Sequence, residues 1–141
     1  MTSSIVALAG GVGAARLLAG LVQVTDPATV TVIGNVGDDA ELFGLHVSPD
    51  LDIVTYTLAG LVDERGWGLA GDTNAVVSAL TRFGYPDWFH LGDRDLATCL
   101  HRTNLLRSGQ TLAEATDAIR RAFGLSLRIL PVTNDRLRTV V

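Results

Sequence analysis

Length, composition and charge restrict the classes of protein to which this chain can belong. Its 141 residues are 48% hydrophobic and 18% charged, which predicts one globular domain with a sizeable core. The formal net charge is −4 and lysine and arginine form no cluster, so we expect neither nucleic acid nor a membrane as a partner. The single cysteine excludes an internal disulfide, and the N-terminus lacks the pattern of a signal or membrane-spanning segment. These features predict a reduced, cytoplasmic protein.

Apolar runs of strand length alternate along the chain with segments of helical periodicity. The first strand is predicted at Ile5–Ala9, and the first helix follows directly from a glycine turn. Further strands are predicted at residues 30–33, 45–47, 88–91 and 127–130. This alternation predicts an α/β fold, a Rossmann-like three-layer sandwich with a mostly parallel sheet.

Helix-start signals mark several of the segments between these strands. Ser48 and Pro49 have the positions of an N-cap and a first-turn proline. Thr111 and Glu114 have the spacing of a capping box. The helices that follow the first one are predicted over residues 49–61, 74–82, 96–106 and 111–123.

The last four residues, 138–141, have the pattern of another strand, at which the sequence stops. Chain termini usually lie at the surface and outside half-built strands. We therefore expect residues 1–141 to be the N-terminal part of a single Rossmann-like domain whose sheet is incomplete at the C-terminus.

The turn after the first strand has the features of an anion site. Gly10, Gly11 and Gly13 lead into a helix whose first N–H groups lack partners and whose dipole favours negative charge. Arg16 stands where the dinucleotide fingerprint needs its third glycine, and the Gly-Lys-Ser/Thr of a Walker A loop is missing. The sequence thus predicts a phosphate at this turn, with Arg16 either neutralising it or lying as a solvated helix residue.

Three acidic segments follow strand-like runs, at residues 34–39, 48–52 and 92–95. In a doubly wound sheet such segments gather at the carboxyl edge, where ligands bind. Their carboxylates belong to Asp38, Asp39, Asp50, Asp52, Asp93 and Asp95. Beside a phosphate they repel it, unless a divalent cation bridges the two or they bind hydroxyl groups of a second substrate. The alternative is that each pair only stabilises the start of a helix.

Other chemically capable side chains give weaker signals. Arg94 is either an ion-paired structural residue or a phosphate ligand. Trp67, between two glycines, either covers a flat ring or anchors an ordinary loop. The three histidines lack metal-ligand spacing, and Cys99 is expected in the core.

Five motifs taken together resemble one known family. They are GGVGAAR at 10–16, GNVGDD at 34–39, SPDLD at 48–52 with YTL at 56–58, GWG at 66–68, and WFHLGDRDLAT at 88–98. This combination is similar to the N-terminal part of the 2-phospho-L-lactate transferases, the CofD or FbiA family of coenzyme F-420 biosynthesis. The resemblance extends to about Thr139.

The resemblance implies a phosphodiester-forming transfer. The family moves a phospholactyl or phosphoenolpyruvyl group from a diphosphoguanosine donor, LPPG or EPPG, to the ribityl hydroxyl of the deazaflavin Fo, with release of GMP and with Mg²⁺ as cofactor. Such a transfer depends on positioning and charge stabilisation, so no covalent nucleophile is needed. The implied partners are these small molecules and, in the full-length family, a second copy in a homodimer.

The resemblance also implies roles for individual residues. Asp50 or Asp52 would be catalytic and orient or deprotonate the attacking hydroxyl, while Asp38, Asp39 and Asp50 would hold the metal. The residues implied to bind substrate are Gly10, Gly11, Gly13, Arg16, Asn35, Asp39, Asp93, Arg94 and Asp95. Which aspartates hold Mg²⁺ and which hold Fo stays open.

Departures from the family pattern leave alternatives. Members are somewhat more than twice this length, Cys99 stands where they usually have histidine, and Asn134-Asp135 replaces a more acidic pair. The alternatives are a non-catalytic UDP-sugar-binding regulator of the gluconeogenesis-factor type and an inactive truncated remnant. The donor acid, the activity of this short chain and its oligomeric state are undecided by the sequence.

Overall fold

A computed structural model describes residues 4–86 and 88–140. The strands are β1 (Ile5–Ala9), β2 (Val30–Gly34), β3 (Ala40–Leu42), β4 (Leu45–Val47) and β5 (Arg128–Pro131). The helices are α1 (Val12–Val24), α2 (Pro49–Leu58), α3 (Ala75–Leu80), α4 (Asp93–Arg107) and α5 (Leu112–Ala122). Short 3-10 turns cover Pro27–Thr29 and Thr81–Phe83.

A parallel three-stranded sheet in the order β1-β2-β5 forms the centre of the fold. Val32 and Ile129 pair across it, lie on the same face, and are buried against Leu18 of α1 and against α2. A side chain at Gly34 would obstruct this packing, because its Cβ would approach Leu51 Cδ2 to 2.5 Å. The helices therefore pack closely on this face, and the predicted α/β class with a parallel sheet is confirmed.

The opposite face of the sheet is exposed along β1. Val6 and Leu8 are 61% and 81% exposed. Their neighbours across the sheet on β2, Thr31 and Ile33, are partly exposed. Within the described residues β1 pairs with β2 alone, so its outer edge is also free.

An antiparallel hairpin of β3 and β4 adds a second small sheet. The turn between the strands has positive φ at both Phe43 (54°) and Gly44 (73°), a pair that matches the twist of a tight hairpin. The strand predicted at Leu45–Val47 is thus confirmed. Its partner β3 is not predicted, because Glu41 and its neighbours lack the periodicity of a strand.

Two of the predicted strands are wrong. Residues 88 and 89 form a bend and residues 90 and 91 are irregular, because Phe89 and Leu91 pack beside Cys99 in a second core cluster rather than in a sheet. Residues 138–140 form no strand, although the Thr139 N–H donates to the Gly37 carbonyl at 2.9 Å. Val141 lies outside the described residues.

The helices lie where the periodicity predicts them, with shifted ends. α4 begins at Asp93, so the third acidic segment is the first turn of a helix rather than a loop. α2 ends at Leu58, about one turn before the predicted end. The capping box of α5 is present: Thr111 Oγ1 accepts from the Glu114 N–H at 3.2 Å, and Glu114 Oε2 accepts from the Thr111 N–H at 2.7 Å.

Candidate functional site

The glycine turn leaves the start of α1 open. Gly11 is the N-cap of the helix, and its carbonyl accepts the first helical hydrogen bond from the Ala15 N–H at 3.1 Å. A Cβ at Gly10 or Gly13 would meet no atom within 4 Å, so both positions border open space. The turn therefore leaves room beside the start of α1, where a helix offers unpaired N–H groups to an anion.

Asp50, in the first turn of α2, faces this glycine turn. Its Oδ2 accepts from Asn35 Nδ2 at 2.8 Å, and its Oδ1 lies 3.1 Å from the place a Cβ on Gly11 would take. Asn35 is itself fixed, because its Oδ1 accepts from the Gly37 N–H at 3.0 Å and its own N–H donates to the Ala9 carbonyl at 2.8 Å. The ends of β1 and β2 thus hold the carboxylate in place.

The two aspartates of the loop after β2 have different surroundings. Asp39 Oδ2 accepts from Ser48 Oγ at 2.8 Å and lies 2.9 Å from His46 Nε2. Asp39 Oδ1 is buried and has no hydrogen-bond partner among the described residues, and Asp39 lines a cavity of about 680 Å³ bounded by residues 134–138. Asp38 is exposed. Asp39 therefore has one buried oxygen that no described residue satisfies.

Asp52 is directed into the interior. Its carboxylate is ion-paired with Arg102 Nη2, and the two side chains are 7% and 1% exposed. Arg102 Nη1 also donates to the His46 carbonyl at 3.2 Å. Burial raises the pKa of Asp52, although Arg102 acts against it. Burial alone would lower the pKa of Arg102, but the charge of Asp52 raises it, so the guanidinium stays protonated. The pair connects α2 to α4 and β4.

Asp95, in the first turn of α4, lies close to this pair. The Tyr56 hydroxyl donates to Asp95 Oδ1 at 2.7 Å. Burial, with a contribution from the charge of Asp52, raises the pKa of Asp95 to about 6. Burial and the same two carboxylates raise the pKa of Tyr56, so the phenol stays protonated. Burial raises the pKa of Cys99 to about 12, and this neutral thiol is the core residue that the sequence predicts.

Asp72 and Asp93 cap each other's neighbouring helix. Asp93, in the first turn of α4, caps the start of α3, and Asp72, which precedes α3, caps the start of α4. The Asp93 carboxylate accepts from Thr73 Oγ1 at 2.5 Å and from two N–H groups at the start of α3, and these hydrogen bonds lower its pKa. The Asp72 carboxylate accepts from the N–H groups of Arg94 at 3.0 Å and Asp95 at 3.2 Å, at the start of α4. Asp93 thus caps α3 rather than α4, the helix that the alternative expected the Asp93 and Asp95 pair to stabilise.

Both arginines predicted to face a phosphate are exposed. The Arg94 guanidinium donates to the Ala70 carbonyl and lies 3.6 Å from Asp72 Oδ1. Arg16 Nη2 lies 3.6 Å from the place a Cβ on Gly66 would take, so Arg16 is next to the loop that contains Trp67.

A cavity of about 600 Å³ lies beside α2 and the start of α4. Its lining includes Asp52, Tyr56, Asp95, Trp67, Phe89 and His90. The Trp67 side chain is 61% exposed, which leaves its ring free to contact a ligand. Because Gly66 approaches Arg16 and Trp67 lines the cavity, the cavity and the glycine turn are neighbours.

One cluster of potential metal ligands occurs among the described residues. Asp52, Asp95 and Cys99 offer atoms that lie within 4.8 Å of one another. Arg102 already neutralises Asp52, and a thiol is not a ligand that Mg²⁺ prefers, so this cluster does not fit Mg²⁺. The predicted metal ligands Asp38, Asp39 and Asp50 form no such cluster in the part of the chain that the structure describes.

Sequence reasoning misses three residues of this region. Tyr56 lies in the YTL motif but carries no recognisable role there, and its contact with Asp95 arises only in the fold. Arg102 follows Cys99 at helical spacing, and a charged residue on a buried helix face is a usable signal for an internal ion pair. Asp72, between a glycine and a threonine, has the pattern of a capping residue.

Comparison with known proteins identifies the family of the chain. A family model described as 2-phospho-L-lactate transferase CofD matches residues 5–141. The chain belongs to this family. The phosphoenolpyruvate transferase of Streptomyces griseus is 49% identical over 139 residues, and that of Mycobacterium tuberculosis is 44% identical over 149 residues. These matches cover 97% and 95% of this chain.

The chain spans less than half the length of these relatives, namely 44% and 45%. A crystal structure of a UPF0052 family protein from Bacillus halodurans, 19% identical, matches with a TM-score of 0.55 and covers 97% of this chain and 41% of that one. This likeness supports the Rossmann-like fold. Among the described helices, none combines the length and the apolar character that crossing a membrane requires.

Proposed function

We propose that the chain provides the N-terminal part of a transferase of coenzyme F-420 biosynthesis. In the proposed reaction a phosphoenolpyruvyl or phospholactyl group moves from a diphosphoguanosine donor to the ribityl hydroxyl of Fo, and GMP leaves. The relatives' name, phosphoenolpyruvate transferase, favours the phosphoenolpyruvyl donor. The observation that carries the proposal is the Asp50 carboxylate, which Asn35 holds against the open glycine turn.

The glycine turn is proposed to bind the diphosphate of the donor. Open space lies beside Gly10 and Gly13 at the start of α1, and each favourable interaction of an anion with a helix start contributes about 0.3–1 kcal/mol. Arg16, exposed beside this turn, would offset negative charge on the leaving GMP. Arg94 is the second candidate for this role.

The cavity of about 600 Å³ is proposed to bind Fo. This volume is within the usual range for small-molecule sites. The exposed ring of Trp67 offers a stacking surface for the flat deazaflavin, while Tyr56 and Asp95 offer polar atoms to its hydroxyl and amide groups. Because the cavity and the turn are neighbours, a hydroxyl of Fo would be brought near the donor phosphate.

Asp50 is the stronger candidate for the group that orients or deprotonates the attacking hydroxyl. The hydroxyl oxygen would form the new bond to phosphorus as the bond to the GMP oxygen breaks, and a positioned base contributes about 10²–10⁴-fold to such a step. Asp50 Oδ1 faces the turn, whereas Asp52 is neutralised by Arg102. Asp52 would instead stabilise the wall of the cavity.

Mg²⁺ is proposed to bind at the edge of the sheet rather than at the buried cluster. Asp39 Oδ1 is buried without a partner among the described residues, and Asp50 Oδ1 faces the turn, so both offer the oxygen ligands that Mg²⁺ prefers. We infer that Asp50 would hold the ion at the turn, with Asp39 and the exposed Asp38 as the further candidates. When bound, Mg²⁺ would supply positive charge to the diphosphate.

A fluorescence titration of Fo against the chain tests the acceptor site. We expect saturable binding, weakened about tenfold by Trp67→Ala because a ring-stacking contact is lost. Phe83→Ala removes an aromatic ring that is 78% exposed outside the cavity lining, and it should leave the affinity unchanged. Equal effects of the two substitutions, or no saturable binding, would contradict the proposed site.

The transfer itself is tested by measuring GMP after incubation with Fo, the donor and Mg²⁺. Because the chain spans less than half of its relatives, the assay is run on the chain and, in parallel, on the Streptomyces griseus relative with the same substrates. The homodimer implied by the resemblance is checked by sedimentation velocity in the same buffer.

A further inference from the structure

Two carboxylates and one thiol meet beside the cavity of about 600 Å³. Asp52 belongs to α2, while Asp95 and Cys99 are four residues apart on α4 and therefore share one face of that helix. Their potential ligand atoms lie within 4.8 Å of one another. The fold thus brings one sulfur and two carboxylates from separate helices to a single point.

Each carboxylate of this cluster has an oxygen to offer. Arg102 contacts Oδ1 of Asp52, and the Tyr56 hydroxyl donates to Oδ1 of Asp95 at 2.7 Å. In the part of the chain that the structure describes, neither Oδ2 atom has a hydrogen-bond partner. The Asp52 side chain is only 7% exposed, and a carboxylate oxygen left unpaired on so buried a side chain is costly. Both aspartates line the cavity, so an ion has a route to these oxygens.

The cluster offers the ligands that a thiophilic divalent cation prefers. Zn²⁺ binds thiolate sulfur at about 2.3 Å and carboxylate oxygen at about 2.0–2.2 Å. These bond lengths place the ligand atoms of a tetrahedral site about 3.5 Å apart, so the cluster would contract by about 1 Å. Zinc sites with three protein ligands keep a fourth position open, and the fourth position here would face the cavity.

The charges of the cluster balance around such an ion. Without an ion the thiol is neutral, because burial raises the pKa of Cys99 to about 12. A coordinating thiol is deprotonated, so Asp52, Asp95 and Cys99 would carry three negative charges in the metal-bound state. The Arg102 guanidinium and a divalent ion together carry three positive charges. Mg²⁺ has the same charge as Zn²⁺, but it does not prefer a sulfur ligand.

We propose that Asp52, Asp95 and Cys99 form a site for Zn²⁺, separate from the glycine turn at which Mg²⁺ is proposed to bind. The ion would replace the proton of the Cys99 thiol, which passes to solvent through the cavity, and no group is oxidised or reduced. The bound ion would connect α2 to α4 beside Arg102. The site does not rest on the proposed reaction.

A titration of the purified chain with metal ions alone tests the proposal. Cd²⁺ is the probe, because its thiolate complexes absorb in the ultraviolet, and Cys99 is the single cysteine of the chain. We expect one Cd²⁺ per chain with a thiolate absorption band, displaced by Zn²⁺ and unaffected by excess Mg²⁺. Cys99→Ser should abolish the band, and Asp95→Asn should weaken Cd²⁺ binding at least about tenfold. Asp117→Asn, at a carboxylate of α5 outside the cluster, should change neither.

Circular dichroism checks that each variant is folded. If Cys99→Ser does not fold, Asp95→Asn decides the test, because Asp95 is only partly buried. Three outcomes would overturn the proposal: no thiolate band with Cd²⁺, equal weakening by Asp95→Asn and Asp117→Asn, or displacement of Cd²⁺ by Mg²⁺. Neither Fo nor the donor enters these measurements, so failure here is distinct from failure of the proposed function.

Discussion

Asp50 and Asp52 lie two residues apart in α2, yet the fold gives them opposite surroundings. Asp50 is partly exposed, held by one hydrogen bond from Asn35, and faces the glycine turn. Asp52 is buried, and Arg102 neutralises it inside the protein. Two residues along a helix correspond to about 200°, so the side chains leave opposite sides of α2. The same acidic motif thus supplies one carboxylate to the open turn and another to the interior.

This difference separates binding from stability. A buried carboxylate with a single charged partner stabilises the fold only while that partner is present. A carboxylate at an open edge contributes little to folding and remains available to a substrate or an ion. Substitutions in the two regions should therefore change different measurements.

The largest loss of stability is expected for Arg102→Leu. This change leaves the Asp52 carboxylate buried without its counter-charge, which costs about 3–5 kcal/mol of unfolding free energy. Urea denaturation followed by circular dichroism measures the change. Arg121→Leu, at a position 65% exposed and paired with Asp117, serves as the control and should cost less than about 1 kcal/mol.

Adding Asp52→Asn to Arg102→Leu should restore part of the lost stability, because the uncompensated charge is then removed. A double variant as unstable as the sum of both single variants would show that the ion pair does not account for the loss.

The next effect is that Asp95 makes the free energy of unfolding depend on pH. Its pKa is raised to about 6 from the ordinary 3.8, so the folded state binds the proton more tightly than the unfolded state. The protonated Asp95 therefore adds its full stabilisation below about pH 4, and this stabilisation is lost as the pH rises through about 6. The free energy of unfolding should fall over this range by at most about 3 kcal/mol. Asp95→Asn should remove this decline when unfolding is measured between pH 4 and 7.

Tyr56→Phe provides the matched control for Asp95. The Tyr56 hydroxyl donates to the Asp95 carboxylate and lowers its pKa, so the variant should shift the decline to higher pH rather than abolish it. If the pH profile of unfolding were unchanged in both variants, groups other than Asp95 would be responsible for the pH dependence of stability.

The sequence predicts the framework of this fold better than the contacts of its site. Apolar periodicity locates β1, β2 and β5, because these strands bury alternate residues against helices. It fails at Phe89 and Leu91, where an equally apolar run packs into a core cluster without a sheet partner. Local pattern determines that such residues are buried, whereas only the tertiary fold determines whether they are hydrogen-bonded to a neighbouring strand.

The acidic motifs show the same limit. Their position after strands correctly predicts that Asn35 and Asp50 approach the glycine turn, because parallel strands end at a common edge. The inward orientation of Asp52 depends on Arg102, which lies 50 residues away in sequence. A local sequence pattern therefore cannot predict this orientation.

A smaller effect is expected for Asp72→Ala. Its carboxylate caps α4 through the N–H groups of Arg94 and Asp95, and loss of such a cap costs about 1 kcal/mol. Because the same bonds fix the position of Asp95, the variant should also change the pH dependence attributed to Asp95. Asp72→Asn retains a capping oxygen and should restore most of the stability, as measured by urea denaturation. An unchanged stability in Asp72→Ala would contradict a capping role.

The smallest change in stability, with the largest change in binding, is expected for Asp50→Asn. The Asn35 contact is partly exposed and asparagine keeps an oxygen that can accept it, so the substitution costs about 0.5 kcal/mol. The substitution removes a negative charge from the mouth of the turn, so the proposed Mg²⁺-dependent binding of the donor, measured by calorimetry, should fall at least about tenfold. Asp117→Asn, at a carboxylate of α5 outside the site, should leave that binding unchanged. If Asp50→Asn instead unfolded the chain as Arg102→Leu is expected to do, Asp50 would belong with Asp52 among the residues that hold the fold together.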